Sequence, residues 1–202
     1  AVMKFQKQRG VVLIVCLVIL AVVTLLGVSA IESSGMEMKM ATNTQERQLA
    51  FNAAETTLRQ VERTIETVGF SRVELQADCV GSSCFNATCA NGLCFVGQWE
   101  ALDTQDQCLR YTTSSPPTVQ VWEDPALDVW ETSSRHDTVA IDGNGNDGRY
   151  IVEFLCFIEP LGGTGFVAAD GGDVLYRITA MGTSNSGRSE VVLQSTYRAP
   201  TP

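Results

Sequence analysis

Six cysteines, Cys79, Cys84, Cys89, Cys94, Cys108 and Cys156, lie downstream of a long apolar run, and the first four repeat as C-x4-C-x4-C-x4-C. Two chemistries use clustered thiols. A structural zinc site takes pairs two to four residues apart, with a longer gap between pairs, and this even spacing is different. An even number of cysteines in an exported domain instead points to disulfides, here with fifteen pairings open. The expectation is two bridges within residues 79–94 and a third between Cys108 and Cys156.

A second cluster has the residue types of a cation site. Asp142, Asn144 and Asn146 place side-chain oxygens at alternate positions, and Glu153 stands eleven residues after Asp142. A calcium loop needs ligands at its first, third, fifth and twelfth positions. Asp147 stands where such a loop needs glycine, and the simpler reading is a turn in which Asn and Gly reach positive φ. Calcium is therefore a secondary expectation, and no other cofactor is expected. His136 is the only histidine and falls in a polar loop expected to be solvated. There is no G-x-S-x-G or H-E-x-x-H motif, and the glycine runs at 162–165 and 171–172 lack the Gly-Lys-Ser/Thr ending of a phosphate loop. Asn86-Ala87-Thr88 matches a glycosylation sequon, a short and common pattern. Trp122 and Trp130 flank an acidic stretch and read as half-buried packing residues; as a partner-binding patch they would supply the aromatic anchors of an interface. None of this makes an enzyme.

The elements that must carry these residues begin with residues 11–31, VVLIVCLVILAVVTLLGVSAI, which hold no charge. About 20 apolar residues suffice for a helix to cross a bilayer. Lys4, Lys7 and Arg9 precede the run, so the basic flank belongs in the cytoplasm and all that follows residue 31 on the other side. Residues 32–68 contain no proline and are rich in helix formers. From Phe51 the apolar positions Phe51, Ala54, Leu58, Val61, Ile65 and Val68 step by three and four, one stripe of a helix, with Gly69 as its C-cap. One helix over 11–68 would be roughly 85 Å long, only the first third in lipid. Strands are expected over 94–99, 108–113, 119–122 and 150–159, followed by a hairpin of 174–181 and 190–197 with residues 182–187 as its loop. The fold class is α+β: a long N-terminal helix on an antiparallel β-sheet, with a disulfide-braced loop region between them.

This arrangement resembles a known group, the type IV pilins, and within it the PilX-type minor pilins of type IV pilus assembly. The resemblance rests on Gln8-Arg9-Gly10, Thr24 to Ala30, Asn43 to Arg47, Leu49 to Glu55, and two later segments, Arg149 to Glu153 and Tyr176 to Ala180. It is good over about the first sixty residues and patchy across the cysteine-rich stretch. It implies residues 1–10 as a prepilin leader cut by a prepilin peptidase between Gly10 and Val11, with methylation of the new N-terminus. Residues 11–31 would be the transmembrane part, 32–69 the amphipathic part of the same helix, and 70–202 a periplasmic globular domain. It further implies one pass through the inner membrane with a cytoplasmic N-terminus, then residence in the pilus fibre or at its tip.

Most pilins carry a glutamate at the fifth residue of the mature chain, where this chain has Val15. In the family that glutamate pairs with the N-terminal amine of the neighbouring subunit. A carboxylate in hydrocarbon is costly unless paired, so it sets register. A subunit that begins the filament has no neighbour above it, and Val15 fits an initiating or tip position that supports adhesion. The partners implied are other minor and major pilins through the N-terminal helix, a tip adhesin and the peptidase. Two alternatives use the same anchor: a minor pseudopilin of a type II secretion system, and a single-pass anchor displaying a disulfide-rich binding domain. The net charge is −9, and loss of the three leader cations takes it to −12, so no nucleic acid partner is expected.

Overall fold

The computed structural model describes residues 11–75, 79–95, 120–141, 147–158 and 173–199. The chain forms two compact units, Ala1–Gln45 and Glu46–Pro202. One helix, α1 (Val11–Val68), contributes to both. It ends at Gly69, whose φ of 65° and N–H to the Ile65 carbonyl (2.9 Å) make the left-handed cap.

In the first unit residues 11–31 of α1 carry no charge, and the charged residues of the helix begin at Glu32. Its described side chains over 11–29 are exposed, and its length and apolar composition make this stretch a candidate membrane anchor. Thr24 turns its hydroxyl inward to the Leu20 and Ala21 carbonyls, at 3.0 and 2.9 Å, so even its polar group is satisfied within the helix.

The second unit packs residues 46–68 of α1 on a sheet that among the described residues has five strands: β1 (Leu93–Phe95), β2 (Asp137–Ala140), β3 (Asp147–Ile158), β4 (Asp173–Thr183) and β5 (Glu190–Ala199). The order is β1-β3-β4-β5, with β2 also on β3. Pairing is antiparallel except for β1, which runs parallel to β3 with Leu93 opposite Val152. The α+β class thus holds, with one short parallel strand in the sheet. A bulge lies between Phe154 and Cys156, and β4 and β5 pair without a break over ten positions.

Several local expectations differ. The buried stripe of α1 is Ala50, Ala53, Ala54, Thr57, Leu58, Val61 and Ile65. Phe51 is 45% exposed and Val68 75%: small residues face the sheet, turning Phe51 to the flank, and Val68 lies in the last turn. Residues 121–123 form a 3-10 turn in place of a strand, and β2 was not expected because Val139 is its only buried residue. Residues 108–113 lie outside the described residues.

Small residues let helix and sheet approach. A Cβ on Gly182 would overlap the Ala50 carbonyl and the Ala54 amide and come within 2.9 Å of the Ala53 methyl; one on Gly148 would overlap the Thr57 hydroxyl. On this face Val152, Phe154, Val174, Tyr176 and Ile178 meet Leu58, Val61 and Ile65. Phe70 and Phe85 close one end, edge to face at 4.9 Å between centroids. The other face of the sheet holds a second cluster: Cys89, Cys94, Val121, Val129 and Ile151, with Trp122, Leu127 and Trp130 against it.

Candidate functional site

Three regions carry the residues that could act. The first is the start of α1. Val11 is its first residue and 64% exposed, and Val15 is 48% exposed on a helix surface with no charge from 11 to 31. Cys16 is an exposed free thiol on the same surface. Gly10 lies outside the described residues. This stretch can hold lipid or other apolar helices.

The second region is the cystine-braced segment. Cys79 bonds Cys84 and Cys89 bonds Cys94, the two bridges expected within residues 79–94. Cys108 and the side chain of Cys156 lie outside the described residues, and with them the third bridge. Cys89 and Cys94 are almost fully buried, and Cys94 stands opposite Glu153 in the β1–β3 pair. Asn86 organises the link between the bridges. Its Oδ1 accepts from the Thr88 amide (3.1 Å), the Thr88 hydroxyl (2.7 Å) and the Ala90 amide (3.1 Å), and its Nδ2 donates to the Cys84 carbonyl at 3.2 Å. The sequon residues thus use both amide atoms and the hydroxyl internally. Glu74 pins the preceding turn: the Ser83 hydroxyl lowers its pKa most, burial opposes this, and the Ser71 amide and hydroxyl lower it further.

The third region is the loop over the second face of the sheet. Trp122 donates Nε1–H to Gln120 Oε1 (2.9 Å), and Trp130 packs against the same cluster with its own Nε1 buried and, among the described residues, unbonded. Both are half-buried, as expected of packing residues. Arg149 of β3 donates to the Trp130 carbonyl at 2.8 Å, and Arg135 to the Ala126 carbonyl at 3.0 Å and to that of Leu127. His136 is buried rather than solvated, its Nδ1 2.7 Å from the Val129 carbonyl. Its neighbour Asp137 starts β2, which folds the loop down onto the sheet.

Beneath this loop lies a group that sequence reasoning placed in a different role. Glu153 is 1% exposed in β3, and its Oε2 faces Arg177 Nε of β4 at 3.3 Å without the alignment of a hydrogen bond. Burial pushes its pKa up to about 7, and the Arg177 charge offsets only part of that. Asp142, Asn144 and Asn146 lie outside the described residues. Among the described residues no three acids, histidines or cysteines group as metal ligands. The missed signal for the ion pair was register: Glu153 and Arg177 are direct cross-strand partners, which neither strand shows alone.

At the other end of the sheet the β4–β5 turn holds α1. Ser186 donates its hydroxyl to Glu46 Oε2 at 2.5 Å, and bonds from Ser184 and Ser186 lower the Glu46 pKa, with a smaller contribution from Arg188.

Two family models match the chain: PilX N-terminal over residues 9–59, and type IV pilus assembly protein PilX, C-terminal, over residues 81–199. No curated protein and no solved structure matches it.

Proposed function

Because the chain belongs to the PilX family of type IV pilus assembly proteins, we propose that it is a minor pilin that begins the filament or sits at its tip. The leader, residues 1–10, is cut between Gly10 and Val11. Residues 11–31 then hold the subunit in the inner membrane, with the globular unit in the periplasm, until it moves into the fibre and exchanges lipid for the helices of other pilins. The work is assembly rather than chemistry.

The observation that carries the tip position is Val15. From Val11 to the end of the apolar run there is no carboxylate to seek the amine of a preceding subunit. Val15 itself is a plain hydrocarbon contact on an exposed helix surface. An adhesive partner at the tip would meet the half-buried Trp122 and Trp130 on the loop over the second face.

Immunogold labelling of pili from cells carrying a tagged chain tests the position, with pilus counts from a deletion strain beside it. The reading requires gold at fibre ends and a marked loss of pili on deletion. Gold spaced along the shaft, with normal pilus numbers in the deletion strain, would overturn it.

A further inference from the structure

Three of the chain's five methionines fall within five residues of α1: Met36, Met38 and Met40. They are 63%, 73% and 67% exposed, whereas Met181 of β4 is 4% exposed. Met3 falls in the leader, residues 1–10. With most of their surface in solvent, the three thioethers gain little from burial within the chain. At about 1.5 Å per residue they stand roughly 8 to 14 Å past the end of the apolar run at Ile31, on its aqueous side. At about 100° per residue, Met36 and Met40 share one side of the helix and Met38 takes the opposite one.

A thioether in water accepts an oxygen atom without help from a base. Its sulfur lone pair attacks a peroxide oxygen: the S–O bond forms, the O–O bond breaks, and the leaving hydroxide takes the proton of the new S–OH group to become water. Sulfur loses two electrons, the peroxide gains them, and methionine becomes its sulfoxide. Cys79, Cys84, Cys89 and Cys94 do not compete as thiols, because they are already joined in bridges, and the free Cys16 lies within the apolar run. The product is polar where the parent side chain was apolar and adaptable. A helix packed against Met36, Met38 or Met40 would then bury a sulfoxide oxygen that asks for a donor, which costs more than burying a thioether.

We propose that Met36, Met38 and Met40 form an oxidant-sensitive modification site: hydrogen peroxide converts them to sulfoxides while Met181 is spared, and the modified subunit is barred from the fibre. The second half rests on the assembly reading above, in which α1 exchanges lipid for the helices of other pilins. The site is open before that exchange, so the check acts on the subunit waiting in the membrane. Because the three residues occupy both sides of α1, a neighbouring helix meets at least one of them from either side.

Two measurements test it. The first treats the full-length Cys16→Ser protein in detergent with dilute hydrogen peroxide and maps the added oxygen by mass spectrometry of its peptides. One oxygen on each of Met36, Met38 and Met40 is expected, with Met181 modified at least about tenfold more slowly. Oxidation of Met181 as fast as the other three would overturn the site. The second counts pili on cells in which all three residues are replaced by leucine or by glutamine, whose helix propensities are close to that of methionine. Glutamine copies the polarity of the sulfoxide, so Met36→Gln, Met38→Gln and Met40→Gln together should lower pilus number several-fold, and the leucine set should not. Equal counts in the two strains would overturn the exclusion from the fibre. Undiminished pili in a deletion strain would instead sink the assembly reading, and the oxygen map would then decide the site alone.

Discussion

Replacing Gly182 with alanine should destabilise the globular unit by about 3 kcal/mol or more, read as the loss in denaturation midpoint of the full-length protein in detergent. The added methyl would overlap the Ala50 carbonyl and the Ala54 amide, both helix backbone. Ala50 and Ala54 are themselves fully buried, so no rotamer change relieves the overlap, and either α1 or β4 must shift. A shift would part the sheet from the helix along Leu58, Val61 and Ile65, which share one core with β3 and β4. Gly148→Ala is a contrasting case, because there the new methyl meets the Thr57 hydroxyl. Adding Thr57→Ala should recover part of that loss, and no such partner exists for Gly182. Equal rescue at the two glycines, or a Gly182→Ala protein as stable as the parent, would contradict the packing described above.

Glu153→Gln should make the protein more stable at about pH 8 and leave it unchanged near pH 4.5. The carboxyl has an ordinary value of 4.5 and a folded value of about 7, so between these the folded state binds the proton more tightly than the unfolded state. Stability from this group is complete below about pH 4.5 and is lost as pH rises through 7. The difference of about 2.5 pH units sets the loss on the order of 3 kcal/mol. Glutamine keeps the shape without the charge, and Arg177, with its side chain 25% exposed, can still reach water. The parent should therefore melt progressively lower from about pH 5 to pH 8, and the variant should not. His136 is present in both proteins, so their difference isolates Glu153. Arg177→Leu removes the attraction that favours ionisation and should extend the falling limb to higher pH. A parent curve that rises across this range would mean that Glu153 is not buried as described.

These two sites show where reading the sequence stopped. The helix was legible because its signal is local: an uncharged run, absence of proline, apolar residues three and four apart, and a glycine at the end. The exact face was not. Phe51 is apolar yet stands at the flank, while Ala50, Ala53 and Ala54 make the contact because their smallness, rather than their hydrophobicity, lets β4 approach. Gly182 was expected in a hairpin loop; its importance comes from a helix more than a hundred residues earlier. The main strands β3, β4 and β5 were legible from apolar runs between turns, and β2 was hidden because Asp137 and Thr138 are exposed and polar. That two bridges lie within residues 79–94 was legible from the even number and close spacing of the cysteines, whereas which cysteine pairs with which was open until the fold showed Cys79 with Cys84 and Cys89 with Cys94. Glu153 was first grouped with Asp142, Asn144 and Asn146 by counting positions; its cross-strand contact with Arg177 depends on register, which composition does not carry.

A pilin start over residues 1–15 is tested most directly by the intact mass of the protein after co-expression with a prepilin peptidase. The expected result is loss of Ala1 to Gly10 with one added methyl on Val11, giving a mature chain whose fifth residue is Val15. A chain that keeps its leader at full mass would contradict it and leave a membrane-anchored domain outside the filament.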